Sequence, residues 1–159
     1  MSQMIQAPVV IVGGGMVGLT LALMLAQQQI EVTLLEAVKY PVPQADGQPA
    51  PYHSSFDARN TALSRRTVQI FSDLGLWSQL QQYATPILQV QISELGSFGK
   101  ARLNAHEEKV ESFGQVIENA WLGRVLLAAV HAEPRITLMD GVVVKHLSQD
   151  QQQVTVQAT

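Results

Sequence analysis

The 159-residue chain has no cysteine, which excludes disulfides, thiolate nucleophiles and zinc–thiolate centres. Charge is also scarce: Asp, Glu, Lys and Arg together make up 14%, with a net charge of −3. The ten Lys and Arg are scattered and form no stripe that could follow a phosphate backbone, so no nucleic-acid partner is expected. His53, His106, His131 and His146 occur singly, without metal-ligand spacing, and each reads as a surface or locally bonded residue. Glu107, Glu108 and Glu111 read as a solvated face, and no nucleophile–base pair is visible. No catalytic side chain and no metal ligand is therefore assigned.

One charge-free, strongly apolar run could be mistaken for a membrane span. Ala7 to Ala26 meets the length criterion for a membrane span. It contains Pro8 and four glycines, and no Lys or Arg precedes it as a signal peptide requires. Hydrophobic residues still reach 47%, which with so little charge describes a globular chain. A chain of this length buries about 70% of its unfolded surface, enough for a real core. The cytosol is the default compartment.

The same charge-free run has a better explanation. Val9-Val10-Ile11-Val12 is a β-branched stretch that reads as a buried strand, followed by Gly13-Gly14-Gly15-Met16-Val17-Gly18. Gly13 suits the tight turn, Gly15 lets the backbone approach a pyrophosphate, and Gly18 lets the next helix lie close to the sheet. The N-terminus of that helix presents free N–H groups and a partial positive charge to phosphates; Met16, which fills a gap at the turn, and Val17 are counted with the cofactor-binding positions. Small Ala22 and Ala26 share the face of Gly18, and a second apolar run, Val32 to Leu35, ends in Glu36. Glu36 can accept hydrogen bonds from adenosine ribose hydroxyls and would repel a 2′-phosphate, which disfavours NADP at this site. FAD and NAD both remain open, since both contain ADP.

Further on, Ala37 to Phe56 is a Pro-rich connection of a length usually associated with function. A helix is expected from Asn60, with Leu63, Thr67, Ile70 and Leu74 on one face and Gly75 at its end. A second short helix is expected over Leu76 to Tyr83, closed by Thr85-Pro86. Leu88 to Leu95 alternates as a strand, with Ala101 to Asn104 as its partner. The next helix starts near Asn119, placed to cap it, and carries Leu122, Val125, Leu126, Ala129 and Val130 on one face until Pro134. Ile136 to Met139 is expected as a third parallel strand. A hairpin follows, Val142 to Ser148 with Gln153 to Gln157. The expected fold is α/β: a Rossmann-like FAD/NAD(P)-binding domain with a parallel sheet, an inserted strand pair from a second, substrate domain, and a terminal β-hairpin. The inserted pair, within residues 84–104, must belong to another layer, a second domain woven into the first, and residues 1–159 as a whole to the N-terminal portion of the FAD/NAD(P)-binding domain.

Four segments carry a resemblance: Ile11 to Gly18, Phe56-Asp57-Ala58-Arg59-Asn60-Thr61-Ala62-Leu63-Ser64, Leu74-Gly75-Leu76-Trp77 and Gly114-Gln115-Val116-Ile117-Glu118-Asn119. With them the chain resembles the N-terminal part of the class A flavoprotein aromatic hydroxylases, relatives of para-hydroxybenzoate hydroxylase, and more narrowly their ubiquinone-biosynthesis branch, the polyprenyl-methoxyphenol hydroxylases. The first segment is generic to dinucleotide folds, whereas the second and fourth are more specific.

The resemblance implies FAD as bound cofactor, with Glu36 on the adenosine ribose and Arg59 reaching the pyrophosphate or ribose. Asn119 falls where relatives often carry a cofactor-touching Gln or Arg. NADPH or NADH would reduce the flavin, and O₂ would supply the hydroxyl delivered to an electron-rich phenol ring. The implied substrate is a hydrophobic prenylated phenol, with peripheral association at the inner face of the membrane or with a ubiquinone-biosynthesis complex. Family members run to roughly 400 residues and carry, beyond the point matching Thr159, an Asp-Gly motif, a Gly-Asp motif and much of the substrate pocket. The chain is accordingly expected to be partial and inactive alone. The residues by themselves leave two other readings open: an NAD-dependent oxidoreductase, and a non-catalytic nucleotide-binding module.

Overall fold

The computed structural model describes residues 6–41, 53, 55–93, 96 and 99–159. Most of the Pro-rich connection lies outside that range. Three parallel strands form the central layer: β1 (Val9–Val12), β2 (Val32–Glu36) and, after an insertion, β8 (Ile136–Asp140), in the order β1-β2-β8. Every residue of β2 is buried, which explains its unbroken apolar run: a parallel strand covered on both faces has no polar side to show. The register sets Val12 beside Leu35 and Glu36 beside Asp140, so both acids end adjacent strands.

Helix α1 (Met16–Gln27) packs on this sheet through Gly18, Leu19, Ala22, Leu23 and Ala26. Helix α4 (Asn119–Ala132) lies against it with Leu122, Leu126 and Val130 turned inward. These side chains join Leu34 and Ile136 in one core. The expected α1, the three parallel strands and the apolar face of α4 are all present.

The insertion between β2 and β8 differs from expectation. Asn60 does not begin a helix. Asn60–Ser64 is a strand, β3, and the helix α2 starts only at Arg65 and runs to Asp73. The Ser64 hydroxyl accepts from the Thr67 amide at 3.1 Å and caps α2, the usual role of serine at a helix start. Its end falls as expected, with Gly75 at φ +73°. The expected second helix divides into α3 (Trp77–Leu80) and a 3-10 turn at Gln81–Tyr83. Thr85-Pro86 is not merely a stop but part of a strand, β4 (Ala84–Pro86).

Strands β3 and β4 flank β7 (Gly114–Glu118) in an antiparallel sheet ordered β3-β7-β4. The proline sits on an edge strand, where its missing N–H costs no ladder bond. Strands β5 (Gln89–Ser93) and β6 (Lys100–Asn104) pair antiparallel as a separate two-stranded sheet. The terminal hairpin, β9 (Val144–Gln149) with β10 (Val154–Ala158), is as expected. Its turn is held by Asp150 Oδ1, which accepts from the amides of Gln152 and Gln153. No described helix is long and apolar enough to cross a membrane.

Candidate dinucleotide site

The glycine turn connects the end of β1 to the start of α1. Gly13 has φ +108°, and its N–H donates to the Leu35 carbonyl at 2.7 Å, which ties the turn to β2. Gly18 is the point of closest approach: a Cβ there would overlap the Gly13 carbonyl oxygen and lie 3.1 Å from its carbon. Gly15 is different. Its backbone, φ −72° and ψ −174°, suits any residue, and a Cβ there would meet nothing nearer than Ser55 Oγ at 3.8 Å. Among the described residues a free space is thus left directly before α1, and no side chain caps that helix. Met16 is packed against the core and Val17 is 82% exposed, so any polar contact from either is through the backbone amide.

Glu36 is buried at the end of β2. Its Oε2 accepts from the Gly14 N–H at 2.6 Å and its Oε1 from the Val38 N–H at 2.8 Å. A carboxylate has about four acceptor positions, so two backbone bonds orient it and leave capacity for more.

Sequence reasoning missed the aromatic support beneath this turn. Tyr40 is buried, its hydroxyl donates to the Gly14 carbonyl at 2.5 Å, and its amide donates to Asp140 Oδ2 at 2.9 Å. Burial, followed by the nearby Glu36 and Asp140 carboxylates, raises the Tyr40 hydroxyl well above the ordinary tyrosine value. His53 stacks on Tyr40 at 4.7 Å and contacts Phe56 at 5.6 Å. His53 is locally bonded, as expected, its Nδ1 accepting from the Ser55 amide at 3.1 Å, but it is buried and not at the surface. Phe56 in turn lies where a Cβ on Gly123 of α4 would be, 2.5 Å from its Cδ1. No pattern local to Tyr40 or Gly123 announces these contacts.

Arg59 is exposed and donates from Nε to Asp57 Oδ2 at 2.6 Å. The Arg59 amide, first among the causes, holds the Asp57 carboxyl below its usual value. The carbonyls of Asp57 and Arg59 accept from the amides of Ala120 and Asn119, at 3.0 and 2.8 Å. These bonds cover the start of α4. Asn119 is therefore not its N-cap: Glu118 holds that position. The Asn119 side chain is buried, and its Oδ1 accepts from the Thr61 hydroxyl at 2.5 Å. The structure thus gathers Gly13, Gly14, Gly15, Gly18 and Glu36 into one turn, and joins Arg59 to Asn119 in a second cluster. Ser55, four residues before Arg59, faces the turn at Gly15.

A parallel sheet with this glycine turn and a buried terminal acid defines the class of dinucleotide-binding α/β proteins. Comparison narrows the class. Residues 6–159 match the family described as FAD binding domain, and the chain belongs to that family. It is 36% identical over 132 residues to 3-demethoxyubiquinol 3-hydroxylase of Escherichia coli, covering 82% of this chain and 32% of that protein. It is 29% identical over 136 residues to the ubiquinone hydroxylase UbiL of Rhodospirillum rubrum, covering 84% and 29%. The flavin-dependent monooxygenase PieE, solved with FAD and substrate, superposes with a TM-score of 0.74 at 26% identity, over 99% of this chain and 28% of PieE. The chain spans about a third of the length of the curated relatives it matches.

Proposed function

We propose that this chain supplies the ADP-binding part of an FAD-dependent monooxygenase that hydroxylates the aromatic ring of a polyprenyl phenol in ubiquinone biosynthesis. The observation that carries the reading is the free space at Gly15, set between an uncapped helix start and a buried, oriented carboxylate. In this reading Gly13 and Gly18 shape the turn, and the amides of Gly15, Met16 and Val17 receive the pyrophosphate. Glu36 uses its remaining lone pairs on the adenosine ribose. Arg59 swings from Asp57 to the pyrophosphate or ribose, which its exposure allows. Asn119, anchored to Thr61, holds the chain at Arg59 in place and faces the cofactor. Bound FAD supplies the redox chemistry, taking reducing equivalents from NADPH or NADH and activating O₂.

Residues 84–104 are assigned to the substrate side. Leu88, Ile92 and Leu103 in and beside β5 and β6 are exposed, which suits a pocket for a prenylated ring. Such a substrate partitions into lipid, so the complete enzyme works at the inner membrane face or within a biosynthetic complex. The 36% identity to a ubiquinol-ring hydroxylase favours this pathway over an NAD-dependent oxidoreductase. The test is a visible spectrum of the gently purified complete enzyme that contains this segment, with flavin bands near one equivalent, and NADPH oxidation stimulated by a short-chain prenylphenol. A colourless protein that does not take up added FAD would refute the proposal.

A further inference from the structure

Gly14 is held through both of its peptide groups. Its N–H donates to Glu36, and its carbonyl accepts the Tyr40 hydroxyl at 2.5 Å. Tyr40 is itself fixed at two points, by its amide on Asp140 at the end of β8 and by the His53 ring stacked on its face. A hydroxyl held so short of a backbone carbonyl leaves no room for a side chain. A Cβ on Gly14 would overlap the Tyr40 oxygen and lie 3.1 Å from both Tyr40 Cζ and Glu36 Cβ. Gly14, a variable position in the general glycine pattern, is therefore obligatory here because of Tyr40.

We propose that Tyr40 is a positioning residue that clamps the Gly14–Gly15 peptide and so aims the amides of Gly15 and Met16 at the pyrophosphate. The proposal rests on the FAD reading above. Rotation of the Gly14–Gly15 peptide would turn the Gly15 N–H away from the phosphate path; the Tyr40 bond to the Gly14 carbonyl opposes that rotation directly, while the Glu36 bond fixes the preceding Gly13–Gly14 peptide. Burial, and after it the neighbouring Glu36 and Asp140 carboxylates, raise the hydroxyl above the ordinary tyrosine value, so it stays a donor through the neutral range and beyond it.

The test compares wild type, Tyr40→Phe, Gly14→Ala and the double variant in the intact protein. Amide hydrogen exchange over residues 13–18 is read without FAD, and FAD affinity is read by flavin fluorescence. Tyr40→Phe keeps the ring stack and removes the clamp. It should speed exchange at Gly14 to Met16 and weaken FAD about fivefold, with exchange in α4 unchanged. Gly14→Ala should be worse, and the double variant should recover most of the way to Tyr40→Phe, since the overlap with the hydroxyl is gone and only the Tyr40 Cζ and Glu36 Cβ contacts at 3.1 Å then have to yield. Such coupling is the signature of direct contact. Unchanged exchange and affinity in Tyr40→Phe, or strictly additive losses in the double variant, would overturn the clamp. If Gly14→Ala does not fold, the two readouts on Tyr40→Phe decide. Wild type that fails to bind FAD would refute the functional reading instead, and the exchange data alone would then decide the clamp.

Discussion

Replacing Gly15 by alanine adds one methyl group to a backbone already in an extended conformation that any residue adopts. Among the described residues no atom lies nearer than 3.8 Å to that methyl, so the apo-protein should be as stable as wild type or gain about 0.4–1 kcal/mol from the stiffer unfolded chain. The same methyl occupies the approach of the pyrophosphate. Loss of one charge-assisted hydrogen bond is about 1.5–3 kcal/mol, so FAD affinity should fall at least about tenfold. Gly18→Ala should behave in the opposite manner. Its methyl overlaps the Gly13 carbonyl oxygen, and α1 must move off β1 by roughly 1 Å or more to restore ordinary contact. Overpacking of that kind costs about 1–3 kcal/mol, against a helix-propensity gain of about 1. A net loss of about 0–2 kcal/mol lowers Tm by up to about 8 °C in a domain of this size. Thermal unfolding without FAD, paired with a flavin titration, separates the two. A Gly15→Ala protein that melts well below wild type, or binds FAD equally tightly, would refute the division of roles.

Glu36→Gln replaces one acceptor oxygen by a donor, so either the Gly14 or the Val38 amide loses its partner; stability should fall by about 1–3 kcal/mol, and FAD binding should weaken, both measurable by the same pair of assays. Arg59→Gln removes an exposed pair with Asp57 that contributes about 0–1 kcal/mol, so Tm should hardly change while FAD affinity drops; equal affinity would remove Arg59 from the site. The folded Tyr40 hydroxyl titrates above its ordinary value of 10.0, so the folded state retains a proton that the unfolded chain releases. Its contribution is complete below pH 10 and is lost as pH rises beyond that; alkaline denaturation should therefore be steeper in wild type than in Tyr40→Phe.

Sequence alone determined the segment in which structure is local. Strand β1, the glycine turn, α1 and β2 follow one another within 28 residues from Val9 to Glu36, and their spacing records both the parallel sheet and the acid at its end. Periodicity also disclosed α4, β8 and the terminal hairpin, because each carries its own pattern and its own stop. Tertiary structure decided the rest. Asn60–Ser64 fits a helical repeat as well as a strand, and only pairing with β7, more than fifty residues away, selects the strand. Asn119 looks like a cap, but carbonyls from Asp57 and Arg59 already cover its helix start. Tyr40 beneath Gly14, and Phe56 against Gly123, join residues distant in the chain. Local pattern reports which face a residue turns inward; which partner meets it there depends on packing between elements, and that is fixed only when the chain has closed on itself.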